Sequence, residues 1–223
     1  MIQRLLDIVL SGVAVIFLSP LFIVTIIALR LTGEGEIFYL QQRVGCHNNK
    51  FGLYKFATML KNSENIGTGT ITVKDDPRVL PVGRFLRKTK INELPQLLNV
   101  LVGDMSIIGP RPQDQRCFDA FPVASQEAIV EVRPGLSGIG SIIFRDEENL
   151  MHASADPDSY YDNVIMPYKG KLEEWYVRNN GLNVYLRAVF VTAWVVIFPK
   201  SQIVWRAFKG LPPPPAELID VLT

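Results

Sequence analysis

Twenty-two consecutive residues without a charge, Ile8–Leu29, bracketed by Asp7 and Arg30, constrain this chain more than any other feature. As an α-helix they would rise about 33 Å, against a hydrocarbon core of roughly 30 Å. The run is long for the apolar part of a secretory leader, and no small-x-small cleavage site follows before the polar chain. It predicts a helix inserted in a membrane. Near its middle, Pro20 removes a backbone donor and clashes with the preceding turn, while the Ser19 hydroxyl can satisfy the carbonyl so freed. A kink at Ser19-Pro20 is compatible with a spanning helix and with one that turns back to the leaflet it came from. Arg4 and Arg30, one at each end, both prefer cytoplasmic headgroups, which favours the re-entrant hairpin.

A second uncharged run, the eleven residues Ala188–Phe198, is too short to span. Trp194, Trp205 and Phe208 interleave with Arg187, Lys200, Arg206 and Lys209, the pattern of an amphipathic segment lying in the membrane interface. A buried core helix is the competing reading. The LPPPPAEL tail reads as a PPII-like spacer.

Between these runs lies a polar chain with the patterning of a helix-rich α/β domain. Ile37–Gln42 and Phe51–Phe56 read as strands around a polar turn at His47–Lys50, and Thr68–Val73 as a further strand or a loop. Helices are expected over Gly83–Lys90, Asn92–Val102 and Tyr160–Asn179, the last with Glu173, Glu174 and Arg178 exposed. The net charge of +1 gives no footprint for nucleic acid, which is not expected as a partner. Cys46 and Cys117 have no short spacing, so neither a disulfide framework nor a zinc site is indicated. His47 and His152 have no neighbour that makes them a ligand or base. The expected architecture is one compact domain in three segments. These are a kinked re-entrant membrane helix at 1–31, a catalytic domain at 32–182, and interfacial amphipathic helices with a Pro-rich tail at 183–223.

Chemistry concentrates in 92–112. Asn92 is a good N-cap, Glu93 complements a helix dipole, and Pro95 is tolerated in a first turn, so the segment reads as a helix start. The same geometry would offer N–H groups to a phosphate, with a carboxylate able to hold Mg²⁺ beside it. Gly109-Pro110-Arg111-Pro112 adds a guanidinium whose backbone is fixed by two prolines, suited to bidentate phosphate recognition. Lys55, Arg78, Arg84, Arg87, Arg133 and Arg145 could converge on a polyanion, as a set rather than singly. No Gly-rich P-loop, GxGxxG or GxSxG is present, which removes Walker-type, Rossmann and α/β-hydrolase readings.

These residues occur in the order found in a known family. Arg4, Asp7, Ser19-Pro20, Gln42-Arg43-Val44-Gly45, Tyr54-Lys55-Phe56, Asp76-Pro77-Arg78, Glu93–Leu97, Asn99–Leu101, Gly103–Ser106, Gly109–Pro112, Arg133–Gly135 and Arg145 carry the match over nearly the full length. The chain resembles the bacterial sugar transferases of the small monotopic phosphoglycosyl transferase type. The resemblance implies transfer of a sugar-1-phosphate from a UDP-sugar to polyprenyl (undecaprenyl) phosphate, giving polyprenyl-diphospho-sugar and UMP and initiating surface glycan assembly. It further implies a re-entrant helix broken at Ser19-Pro20 and a monotopic seat on the cytoplasmic face of the bacterial inner membrane. An Asp nucleophile would attack the β-phosphate, and the neighbouring Glu, here Glu93, would bind Mg²⁺. Arg111 and Arg145 would hold phosphates, with Pro110 and Pro112 framing Arg111, and Lys55, Arg78 and Arg87 would face the anionic site more loosely. Lipid is an expected partner, and an interface-lying C-terminal segment would leave room for a homodimer.

The chain departs from the pattern at the nucleophile position, which is Asn92. An amide cannot form an acyl-phosphate without losing its nitrogen. Three readings stay open: a substitution that stalls the reaction, a natural member using Asp104 or Glu93 instead, or a silent relative that binds UDP-sugar as a membrane scaffold. A lipid-binding interaction module is a further rival, against which the Arg111 segment argues. Ala57 is a second departure, standing where many relatives carry a basic residue.

Overall fold

A computed structural model describes residues 1–66, 76–147, 150 and 156–222; the expected element at Thr68–Val73 and His152 lie outside them. The fold is helix-rich with small sheets, as expected. Its contacts divide the chain into two compact units where one domain was expected. Unit one is Met1–Asp7, Arg43–Phe51 and Val102–Thr223; unit two is Ile8–Gln42 and Gly52–Leu101.

Helix α1 runs from Ile2 to Leu31 as one element with Pro20 inside it. It is long and apolar enough to cross a membrane, and little of its most apolar stretch is buried in the protein. Pro20 has no N–H for the carbonyl four residues back, Ile16, and the Ser19 hydroxyl donates to that carbonyl at 2.8 Å. The expected repair is therefore present, and the helix continues through it.

In unit two, strands β1 (Phe38–Val44) and β2 (Lys50–Phe56) form a two-stranded sheet, close to the expected hairpin. Its tip, within unit one, turns through a 3₁₀ segment in which His47 and Asn48 adopt positive φ. Helix α2 (Pro81–Lys88) follows, with Pro at its start, and then α3 (Gln96–Val102). Leu29, Phe56 and Leu86 form the small core, with Phe22 set edge-on to Phe56 at 5.5 Å between centroids. Ala57 is buried, so a basic side chain at that position would have to displace its neighbours.

Unit one is built on two short parallel strands, β3 (Ser106–Ile108) and β4 (Gly135–Ser137), paired Ser106 to Gly135 and Ile108 to Ser137. Around them lie α4 (Gln115–Asp119), α5 (Val123–Ile129), α6 (Ile139–Ile143) and α7 (Pro157–Tyr160). A π-helical turn, Tyr161–Ile165, leads into α8 (Met166–Arg178), followed by α9 (Leu182–Ile197), α10 (Ile203–Ala207) and α11 (Ala216–Leu222). Ile108, Ile139, Ile165, Leu172, Tyr185 and Leu218 sit at its centre.

Three features of unit one correct the sequence reading. Glu173 is only 1% exposed rather than on the surface. Helix α9 has a core face and an open face: Tyr185, Ala188, Val191 and Val195 enter the core, while Leu186, Phe190, Val196 and Ile197 stay exposed. The proline run is followed by α11, whose Leu218 and Leu222 plug the core, so the tail is docked rather than a free spacer. At the other end, Asp7 is 2% exposed and accepts hydrogen bonds from the Ser106 hydroxyl, the Ile107 amide and the Tyr185 hydroxyl at 2.8–2.9 Å.

Candidate functional site

Strand β3 delivers the chain into Gly109-Pro110-Arg111-Pro112, and backbone hydrogen bonds tie the turn to β4. The Gly109 amide donates to Ser137 at 2.9 Å, and the Gly135 amide to Pro110 at 2.8 Å. A Cβ on Gly135 would lie 2.1 Å from the Gly109 nitrogen, and one on Gly138 2.1 Å from its oxygen. Only glycine permits main chain to lie this close to main chain. Pro110 and Pro112 are buried and Arg111 is half-buried. Arg111 opens on a narrow cleft walled by Val44, Phe118, Ile129, Val132 and the three prolines Pro110, Pro112 and Pro134.

Arg43 is a candidate that sequence reasoning quoted in a motif but did not single out. Its side chain is 13% exposed and donates to Asp114 at 3.2 Å. Burial and then the charge of Arg111 push its pKa below the ordinary arginine value, while Asp114 opposes the shift. Asp114 is also the N-cap of α4, accepting from the Cys117 amide, so Arg43 is oriented by a fixed carboxylate. Arg43 adds positive charge behind Arg111, and the planar fork of Arg111, which lines the cleft, suits phosphate oxygens. The signal in the sequence was the Gln42-Arg43-Val44-Gly45 segment, whose Val44 and Gly45 line the same cleft.

Arg145, also in unit one, is exposed and donates to the Ile142 carbonyl at 3.2 Å. It caps its own short helix and remains open to solvent.

In unit two, the helix expected from Asn92 does not start there. Ile91–Glu93 is a 3₁₀ turn entered from Lys90 at φ 58°, and the α-helix begins at Gln96. The amides of Glu93, Leu94, Leu97 and Leu98 donate to the carbonyls of Lys90, Ile91, Leu94 and Pro95. These tight turns occupy donors that an anion at a helix start would have used. Asn92 is not a cap: it is 8% exposed and its Oδ1 has no hydrogen-bond partner. Glu93 beside it is half-buried. Among the described residues no cluster of three or more His, Cys, Asp or Glu exists, so Glu93 is not part of an all-protein metal cage.

Lys55, on β2, donates to Gln41 of β1 at 2.8 Å and stays half-buried. Its strand is tied to α3 by Asn99, which accepts from the Tyr54 amide at 2.9 Å and donates to the Gly52 carbonyl at 2.8 Å. Asn99 thus acts as a strand edge in side-chain form, and sets Lys55 relative to the helix that follows Glu93. Arg87 contacts the Met59 sulfur at 3.7 Å. Arg78 departs from expectation. It is 3% exposed, is paired through two nitrogens with Asp76, and donates to the carbonyls of Ser63 and Ile66. A guanidinium so enclosed holds its loop together rather than facing a ligand.

Residues 1–199 match the family described as bacterial sugar transferase. The chain is 41% identical over 166 residues to the UDP-N-acetylgalactosamine-undecaprenyl-phosphate N-acetylgalactosaminephosphotransferase of Aeromonas hydrophila, covering 72% of this chain and 38% of that protein. It is 33% identical over 215 residues to the undecaprenyl-phosphate galactose phosphotransferase of Salmonella typhimurium, covering 88% and 40%. A third relative, the exopolysaccharide production protein ExoY of Sinorhizobium fredii, is 34% identical over 175 residues, covering 72% and 77%. The chain therefore spans about two fifths of the Aeromonas and Salmonella proteins and about three quarters of the Sinorhizobium one. With almost the whole sequence inside one family profile, the chain belongs to the bacterial sugar transferases.

Proposed function

We propose that this chain carries the phosphosugar-transfer site of its family: it takes a UDP-sugar and moves the sugar-1-phosphate to a polyprenyl phosphate. The observation that supports this most is the match to relatives named as undecaprenyl-phosphate sugar phosphotransferases. The cleft lined by Arg111 agrees with it chemically, because a guanidinium fork suits phosphate oxygens. In the reaction the bond between the β-phosphorus and the oxygen bridging to the α-phosphate breaks. UMP leaves with that oxygen, and the lipid phosphate ends bonded to the sugar phosphate.

Glu93 is the carboxylate that would hold Mg²⁺. A single half-buried carboxylate fits this ion, which keeps waters and substrate phosphate oxygens as its remaining ligands. When bound it neutralises diphosphate charge. Within unit one, Arg111 orients the phosphates and Arg43 and Arg145 add positive potential; Lys55 and Arg87 are the basic candidates of unit two. Helix α1 inserts from the cytoplasmic face as a re-entrant element, and the exposed apolar side of α9 rests in the interface. That makes the protein monotopic in the bacterial inner membrane.

Asn92 favours a second reading, a UDP-sugar-binding scaffold without turnover, because an amide cannot carry the phosphosugar. The two readings separate by UMP release from a panel of UDP-sugars with undecaprenyl phosphate, comparing the chain with its Asn92→Asp variant. If position 92 is the attacking position, the substitution raises turnover by at least about 1,000-fold, the scale of removing a nucleophile in reverse. Equal turnover in both would discard position 92 and return attention to Asp104 and Glu93. Failure of either chain to bind UDP-sugar would sink both readings.

A further inference from the structure

We propose that Glu173 is the positioning residue of the Arg111 turn: its buried carboxyl lies beneath the Arg111 main-chain N–H and sets where that arginine stands. The inference rests on the reading that Arg111 binds the diphosphate. Pro110 and Pro112 have no N–H, so Arg111 carries the only main-chain donor of the triplet. That N–H and the one of Gly140 face the Glu173 carboxyl. Neither carboxyl oxygen completes a hydrogen bond of normal geometry, although the side chain is only 1% exposed. The space it fills is made by glycine: a Cβ on Gly140 would lie 2.4 Å from Oε1, and one on Gly138 3.8 Å from Oε2.

The supporting helix acts on the strand and the turn together. One turn along α8, the Tyr176 hydroxyl donates to the Ile108 carbonyl at 3.0 Å, so α8 addresses β3 at Ile108 and the turn at Arg111. One turn back, Lys169 is 2% exposed and bonded to both oxygens of Glu147 at 2.9 Å. Burial pushes the Glu173 pKa up to about 8, against the opposing charge of Lys169 and the two N–H groups. A leucine would fill this volume without the desolvation cost. A carboxyl kept here, under the one arginine locked between prolines, is placed for what it holds. The groups that face it are Lys169 and Tyr176 of its own helix and the amides of Arg111 and Gly140, with Glu147 behind Lys169.

The test uses the full chain in lipid nanodiscs and two readouts, affinity for UDP and amide hydrogen exchange at Arg111 and Gly140. At pH 7, Glu173→Leu should weaken UDP binding at least tenfold and speed that exchange at least tenfold. Glu173→Gln, which mimics the protonated acid, should stay within threefold of the parent in both. From pH 7 to 9 the parent should lose affinity threefold or more as a negative charge forms beneath the turn, while the Gln variant stays flat. A Leu variant that binds and exchanges like the parent overturns the proposal. If the Leu variant does not fold, a Gln variant whose pH profile tracks the parent's overturns it instead. Arg111→Ala is the control for the underlying reading: unchanged UDP affinity there removes Arg111 from the site, and amide exchange alone then decides the role of Glu173.

Discussion

At position 92 a neutral amide occupies a buried turn with its Oδ1 lacking a hydrogen-bond partner. Restoring a carboxylate there adds a charge to a poorly compensated place, so Asn92→Asp should lower stability by about 1–3 kcal/mol, measured by urea unfolding in detergent. A second residue-scale prediction concerns Glu173, whose folded pKa of about 8 lies above its ordinary value of 4.5 because of burial. A carboxyl raised in this way contributes full stability below about pH 4.5 and loses it as pH rises through about 8. Relative to Glu173→Gln, the parent's melting temperature should therefore fall across that window and level off above it. Residue identities were legible at Arg111, where two prolines announce a locked backbone. They were not legible at Asn92 or Glu173. The N-cap rule failed because i→i+3 bonds close at Glu93, Leu94, Leu97 and Leu98 and Pro95 has no N–H to donate, so the α-helix begins only at Gln96. Glu173 read as surface because it sits in a charged stretch, and the glycines that make room for it come from a distant segment.

At the scale of elements, α1 shows that a Ser-Pro pair is a unit: the hydroxyl of one replaces the donor the other lacks. Ser19→Ala should leave the Ile16 carbonyl without that donor and cost about 1–2 kcal/mol, read as a lower melting temperature in nanodiscs. Asn99 is the matching device in unit two. Asn99→Leu strands the Tyr54 amide and the Gly52 carbonyl and should cost about 2–4 kcal/mol, with Lys55 displaced along with its strand. The hairpin was legible because β-rich runs flank a polar turn, and α8 because its apolar spacing is helical. Helix α11 was not, because the prolines before it dominate the local pattern. Its core contacts, Leu218 and Leu222, are nonetheless four residues apart, a single helical face.

For the whole molecule, the sequence suggested three consecutive segments, whereas contacts group the chain into two interleaved units. Periodicity reports which face of an element is apolar but not which other element will cover it. The cut after Asp7 and the assignment of the hairpin tip to unit one were beyond reach for that reason. A helix long and apolar enough to cross a membrane was legible, and α1 exposes Ile16, Phe17, Ile23 and Val24. The Asp7 tether gives this a temporal consequence. Its partners lie 99, 100 and 178 positions further along the chain, so none of them exists when α1 has just been made. The helix is therefore complete while its anchoring carboxylate still lacks these partners. The Tyr185 bond can close only after 178 further residues have been made, so the tether forms well after the helix it holds.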